Sequence, residues 1–124
     1  MYNFKRAKKF FQDKISFVIS PMELNEIIEK QQTEKYQIID LRDLESYGNA
    51  HIPNSINLLE ENLLKELDKL DKNKTIIVYC YNEFCQLSAK CALILIEEGF
   101  KVLELSGGFT TWVKYHYKTE KYSG

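Results

Sequence analysis

Two of the three cysteines in this 124-residue chain, Cys80 and Cys85, lie five positions apart where a nucleophile would be useful. Cys80 follows Thr75-Ile76-Ile77-Val78-Tyr79, a β-branched, apolar run that reads as a strand covered on both faces. That strand delivers the thiol into a loop, Tyr81-Asn82-Glu83-Phe84-Cys85, which feeds a helix expected from Gln86 to Glu98. The backbone N–H groups of Tyr81, Asn82, Glu83, Phe84, Cys85 and Gln86 are expected to line the mouth of this loop. With the helix dipole they favour negative charge, so Cys80 is expected to have a depressed pKa and to exist largely as thiolate. The same amides would stabilise a persulfide anion. Asn82 suits a tightly curled loop, because asparagine tolerates left-handed backbone. A cysteine at a strand end is equally a small buried hydrophobe, so spacing alone leaves catalysis and packing level.

The other polar candidates sit at a second strand end. Tyr36-Gln37-Ile38-Ile39 reads as a strand that stops at Asp40-Leu41-Arg42. Ligands of parallel sheets bind beyond such carboxyl ends. His51 has an unperturbed pKa near neutrality, which makes it a candidate general base. Cys91, among Ala92, Leu93, Ile94 and Leu95, is expected in the core. With His51 and His116 remote in sequence, the cysteines make no zinc pattern, and no metal or cofactor is expected.

The elements that must position these groups alternate. Phe17-Val18-Ile19 is a short strand, and Ser20-Pro21-Met22-Glu23 opens a helix with a capping box and proline at its first position. Leu24, Ile27 and Ile28 form its buried face. Asp43 can cap a short helix through Tyr47; Ser55 to Leu58 can pair as a strand; a helix is expected from Glu60 to Leu70. Lys101 to Leu105 is a last strand, followed by Gly107-Gly108 and a helix from about Phe109 to Tyr115. Strand–helix alternation without a hairpin signal predicts an α/β fold, a central parallel sheet with helices on both faces.

Residues 1–15 place Phe4, Ala7, Phe11 and Ile15 near helical spacing, with lysines between, and are expected to dock on the main domain, residues 16–117. A membrane-surface role for this basic segment is the lesser alternative. Residues 118–124 are expected to be a frayed polar tail. The length allows one domain, and the net charge of −1 gives no global field favouring nucleic acid or an anionic membrane. No stretch approaches the ~18 apolar residues of a membrane span. Lys5, Arg6, Lys8 and Lys9 interrupt any signal-peptide core, so a reducing cytoplasm is expected.

Four ordered segments resemble the rhodanese homology domain: Ile38-Ile39-Asp40-Leu41-Arg42 with Tyr47, Ala50 to Asn57, Val78-Tyr79-Cys80, and Leu105 to Trp112. The resemblance spans roughly residues 17–116. It implies a sulfurtransferase whose cysteine, Cys80, takes sulfane sulfur from a donor (thiosulfate or a persulfide) and passes it to a thiol or other nucleophile, on a small molecule or a protein. It also implies that Asp40, Arg42 and His51 support the site's architecture. The loop departs from the usual family pattern: position 85 is cysteine, Leu87 rather than arginine precedes Ser88, and Glu83 is the sole charged side chain. Cys80-x4-Cys85-Gln86 instead resembles a two-cysteine subgroup. Cys85 is a candidate resolving thiol, its loop position also favouring a lowered pKa, or else a small residue filling space at the start of a helix. Without a bidentate guanidinium, activity with thiosulfate is expected to be weak. Two alternatives stand: a redox-sensing module using Cys80 and Cys85, and a cysteine phosphatase or arsenate reductase, which would need the absent loop arginine.

Overall fold

The computed structural model describes residues 1–122. Strands Val18–Ile19 (β1), Tyr36–Asp40 (β2), Ser55–Asn57 (β3), Thr75–Tyr79 (β4) and Lys101–Leu105 (β5) form one sheet, in spatial order β1-β5-β4-β2-β3. Every pairing is parallel. Helices Phe4–Phe17 (α1), Pro21–Glu29 (α2), Leu44–Asn49 (α3), Leu87–Glu97 (α4) and Gly108–Lys114 (α5) connect or flank it.

The apolar strands work with a period of two. Ile39, Ile76 and Val78 face one side, where Cys91 and Leu95 of α4 and Phe100 complete a core. Ile38, Ile77 and Tyr79 face the other, against Leu24 of α2 and Trp112 of α5. Two buried faces require two layers of helix, which is why β4 is apolar throughout. At the start of α2 the Ser20 hydroxyl accepts from the Glu23 N–H, and the Glu23 carboxylate accepts from the Ser20 N–H.

Three expectations need correction. The segment expected as one helix from Glu60 to Leu70 is two 3-10 pieces, Glu60–Lys65 and Leu67–Lys69. Leu63 and Leu70 reach the core while Leu64 faces solvent, and Glu66 leaves helical geometry between them. The N-terminal helix runs on to Phe17 and meets β5 near its C-terminal end, but none of its side chains is buried. Phe17 ends α1 and Val18 begins β1 with no turn between them. The polar tail is pinned as far as Tyr122. Glu120 and His51 exchange two backbone hydrogen bonds of 2.9 Å, the Tyr122 N–H donates to Gly48, and the Trp112 indole donates to the Lys118 carbonyl. Ser123 and Gly124 lie outside the described residues.

Register decides what stands at the carboxyl edge. Asp40 pairs with Tyr79 on one side and Asn57 on the other. The Asp40 carboxylate is fully buried, and it accepts from the Tyr79 hydroxyl at 2.5 Å and from Arg42 Nη2 at 2.7 Å. The Arg42 backbone N–H also donates to it, at 2.9 Å. Arg42 Nη2 reaches the Ala50 carbonyl as well, while its guanidinium stacks 3.8 Å from the Phe109 ring centroid. Tyr79 is the hub: its oxygen accepts from the Ile52 N–H and contacts the Ser55 hydroxyl. Burial and the adjacent carboxylate push its phenol well above the ordinary tyrosine range. Breaking a buried pair from one side leaves the other charge stranded. Arg42→Met is therefore expected to destabilise the fold by about 3–5 kcal/mol in urea unfolding at neutral pH.

Candidate active site

Cys80 is the first residue past β4, and its loop is held from below by α5. The Cys80 carbonyl accepts from the Phe109 N–H, and the Tyr81 carbonyl accepts from both the N–H and the hydroxyl of Thr110. This contact requires glycine at 108. Its φ is +64°, and a Cβ there would lie 2.8 Å from the Cys80 oxygen and the Asn82 nitrogen. The Tyr81 hydroxyl donates to the Asp43 carboxylate and accepts from the Asp43 N–H, tying the loop after β4 to the start of α3. The two strand ends singled out by sequence are thus joined by side chains 38 residues apart.

Cys80 Sγ and Cys85 Sγ lie 2.6 Å apart, with Cys80 only 1% exposed beneath its neighbour. Both are free thiols. Of the amides expected to line the mouth, two are engaged within the loop itself in this arrangement. The Tyr81 N–H reaches the Cys80 sulfur. The Phe84 N–H, however, donates to the Asn82 side chain at 2.9 Å, and the Cys85 N–H to the Asn82 carbonyl at 3.2 Å. Asn82 serves as a cap for the turn, and its φ is not in the left-handed region that its residue type allows. Gln86 caps α4, whose first helical residue is Leu87, so Cys85 stands outside the helix.

The electrostatic expectation for Cys80 is overturned accordingly. Burial, and next the hydrogen bond that the protonated Cys80 thiol donates to Cys85, push its thiol up to about 12, and the Tyr81 amide opposes this without prevailing. Cys91, wholly buried in the core, is pushed up to about 11 by burial.

Among the described residues, no hydrogen bond links Asp40, Arg42 or His51 to either sulfur. Asp40 and Arg42 are locked to each other beneath the loop, with Arg42 4% exposed. His51 Nδ1 lies 2.8 Å from the Tyr47 carbonyl, and its ring stacks on Tyr47 at 3.9 Å. These bonds hold the turn before Pro53. Beside the cysteines lies a cleft of about 330 Å³ lined by Lys14, Glu83, Phe84, Cys85, Ser88 and Glu104 among others. Burial raises the pKa of Glu104. Lys14 and Glu104 escaped the sequence reading, because one lies in α1 and the other in mid-strand, and no local spacing links them to residue 85. Thr110 was missed for the same reason.

The rhodanese-like domain model matches residues 20–115. The chain belongs to the rhodanese-like family. Two relatives carry the name thiosulfate sulfurtransferase GlpE. That of Coxiella burnetii is 39% identical over 99 residues, 79% of this chain and 88% of the relative. That of Shewanella oneidensis is 34% identical over 92 residues, 73% and 89% of the two chains. Among solved structures, the BH2092 protein of Bacillus halodurans superposes with a TM-score of 0.85 at 30% identity, over 97% of this chain and 88% of its own. This rhodanese-like chain is a sulfurtransferase by class, and its parallel sheet flanked by helices is the family's architecture.

Alkylation of Cys80 by iodoacetamide, followed by peptide mass spectrometry, is expected to keep accelerating above pH 9, where a free cysteine would level off. Cys85→Ala removes one cause of the raised pKa and should move that profile to lower pH. The sign for stability is fixed by the same shift: burial of the protonated thiol stabilises the fold below pH 9, and this contribution is lost as pH rises towards 12. Gly108→Ala should cost about 1–3 kcal/mol of backbone strain in thermal or urea unfolding, and should displace the loop enough to lower sulfur transfer further.

Proposed function

We propose that this rhodanese-like sulfurtransferase relays sulfane sulfur through a persulfide on Cys80 to a thiol acceptor. The observation that carries the reading is the contact between Cys80 and Cys85 sulfurs, 2.6 Å apart at the carboxyl end of the central strand. In the loading step the Cys80 thiolate attacks the donor's sulfane sulfur, and the donor's S–S bond breaks. Sulfite leaves if the donor is thiosulfate, or a thiolate if it is a persulfide; the thiol proton of Cys80 goes to water. In the unloading step the acceptor thiolate attacks the outer sulfur, and the bonding pair returns to Cys80.

Cys85 offers a second exit. Its thiolate attacks the inner sulfur of the persulfide, forming the Cys80–Cys85 disulfide and expelling hydrosulfide; excess external thiol then restores both thiols by exchange. Cys85 also guards the nucleophile. While it covers Cys80, that thiol is buried and protonated, so loading requires the Cys85 side chain to swing off, which exposes the sulfur and removes a hydrogen bond that raises its pKa.

Thiosulfate is a weak donor in this reading, although the named relatives are thiosulfate sulfurtransferases. Arg42 is spent on Asp40 and Arg6 lies in α1, so no guanidinium stands in the loop. Glu83 and Glu104 line the cleft beside Cys85, opposed among the described residues by Lys14 alone. A dianion is disfavoured there, and a persulfide on a small thiol or a protein is preferred. The cytoplasm, with its pool of small thiols, would keep the pair reduced between turnovers. The same missing guanidinium leaves phosphatase or arsenate reductase chemistry without its oxyanion clamp.

A second reading, a redox switch, draws on the same sulfur contact and on the burial of Cys80. Intact-protein mass spectrometry separates them. Incubation of the reduced protein with glutathione persulfide is expected to add one sulfur atom to the wild type and none to Cys80→Ser. Thiosulfate at equal concentration should add it markedly more slowly. Cys85→Ser should retain the added sulfur longer and should no longer lose two free thiols together on oxidation. Paired thiol loss with no sulfur gain from any donor would leave the switch standing and remove the relay.

A further inference from the structure

We infer that α1 is a membrane-surface anchor that lays its aromatic face into an anionic bilayer. Three observations carry this. First, the helix is 14 residues long and well formed, with the Asn3 side chain capping the Arg6 N–H at 2.9 Å, yet none of its side chains is buried. A solvent-exposed helix of this length is marginal on its own. Its apolar residues therefore await a partner.

Second, the apolar side chains share one face. At 100° per residue, Phe17, Phe10, Lys14, Ala7, Phe11, Phe4 and Ile15 follow one another around one side of the helix, with Lys14 the one charged side chain inside the apolar arc. Phe4 and Ile15 are 80% and 83% exposed, and Phe10, Phe11 and Phe17 are each more than half exposed. Lys8 and Arg6 border the arc, where long side chains can lie along a bilayer surface with their charges in the headgroups.

Third, the charge is concentrated. Residues 4–17 hold five of the chain's seventeen basic side chains and one of its eighteen acidic ones. That acid, Asp13, is 3.7 Å from Lys9. The rest of the chain carries twelve basic and seventeen acidic side chains, so the molecule is polarised between a cationic helix and an anionic body. An aromatic arc bordered by Lys8 and Arg6 and backed by Lys5 and Lys9, at low overall hydropathy, suits an in-plane interfacial helix, and Lys14 within the arc can extend its charge to the headgroups. A second copy of the helix is a poor occupant, because pairing two such helices would bring ten cations together with two acids. A spanning role is excluded by length and composition: no helix among the described residues is long and apolar enough to cross a membrane. Since Lys14 also lines the cleft beside Cys85, docking of α1 would hold the reactive loop close to the lipid surface.

Vesicle sedimentation of the full chain tests the anchor. The wild type should pellet with vesicles of phosphatidylcholine mixed with phosphatidylglycerol at low salt, about tenfold more than with phosphatidylcholine alone, and salt should release it. The double variant Phe4→Ser/Phe11→Ser should lose about tenfold in binding to the mixed vesicles while keeping the wild-type melting temperature and persulfide loading. Failure of the wild type to pellet at low salt would overturn the inference, as would undiminished binding by the double variant. A dimer in sedimentation velocity that the double variant dissociates would also overturn it, by showing that a second copy covers the face. Loss of melting temperature in the double variant would do the same, since the helix would then pack on its own domain.

Discussion

The Asp40 carboxylate lies out of contact with water at the point where β2, β3 and β4 end side by side, and it remains there because its neighbours saturate it. Arg42 supplies charge from the side chain and a donor from the backbone; the Tyr79 hydroxyl supplies another. Each donor also holds something else: Arg42 the Ala50 carbonyl, Tyr79 the Ile52 N–H and the Ser55 hydroxyl. Three loops are thereby fixed to one buried charge. A group that would be prohibitively costly alone becomes the peg on which the catalytic edge hangs.

Above that peg, α5 seats the Cys80 loop through three hydrogen bonds to two consecutive carbonyls, at a distance only glycine permits. The position of Cys80 is therefore set by backbone and not by its own side-chain contacts. Its ionisation is set by something else again. The Tyr81 amide serves Cys80, while Asn82 draws the Phe84 and Cys85 amides into its own turn. Desolvation then outweighs hydrogen bonding, and the closed site holds a protonated thiol. Reactivity and accessibility are coupled in this arrangement, since moving Cys85 changes both at once.

The cleft beside the sulfurs shows how composition at a distance bears on chemistry. Glu104 reaches it from within β5, Glu83 from the loop and Lys14 from the helix outside the sheet. The family relationship establishes a sulfurtransferase; the proposed preference for a persulfide over thiosulfate rests on these three charges and on a guanidinium engaged elsewhere. The helix that supplies Lys14 runs into β1 without a turn, and none of its side chains is buried.

Local order was legible in the residues themselves. The alternation of β-branched runs with capped helices determined a parallel sheet between two helical layers, because periodicity and capping act over a few residues and need no distant partner. Cys80, Asp40 and Arg42 were readable as edge residues for the same reason. Tertiary structure decided what lay beyond that range. Whether the Phe4–Ile15 face packs or stands in water lay outside local spacing, and the Glu60–Leu70 segment depended on which leucines met the core. The tail depended on backbone pairing between His51 and Glu120, 69 positions apart. Above all, the ionisation of Cys80 turned on how deeply the loop buries it and on where six amides point. Burial and hydrogen-bond direction are sums over neighbours brought together only by folding, so no spacing along the chain could have shown them.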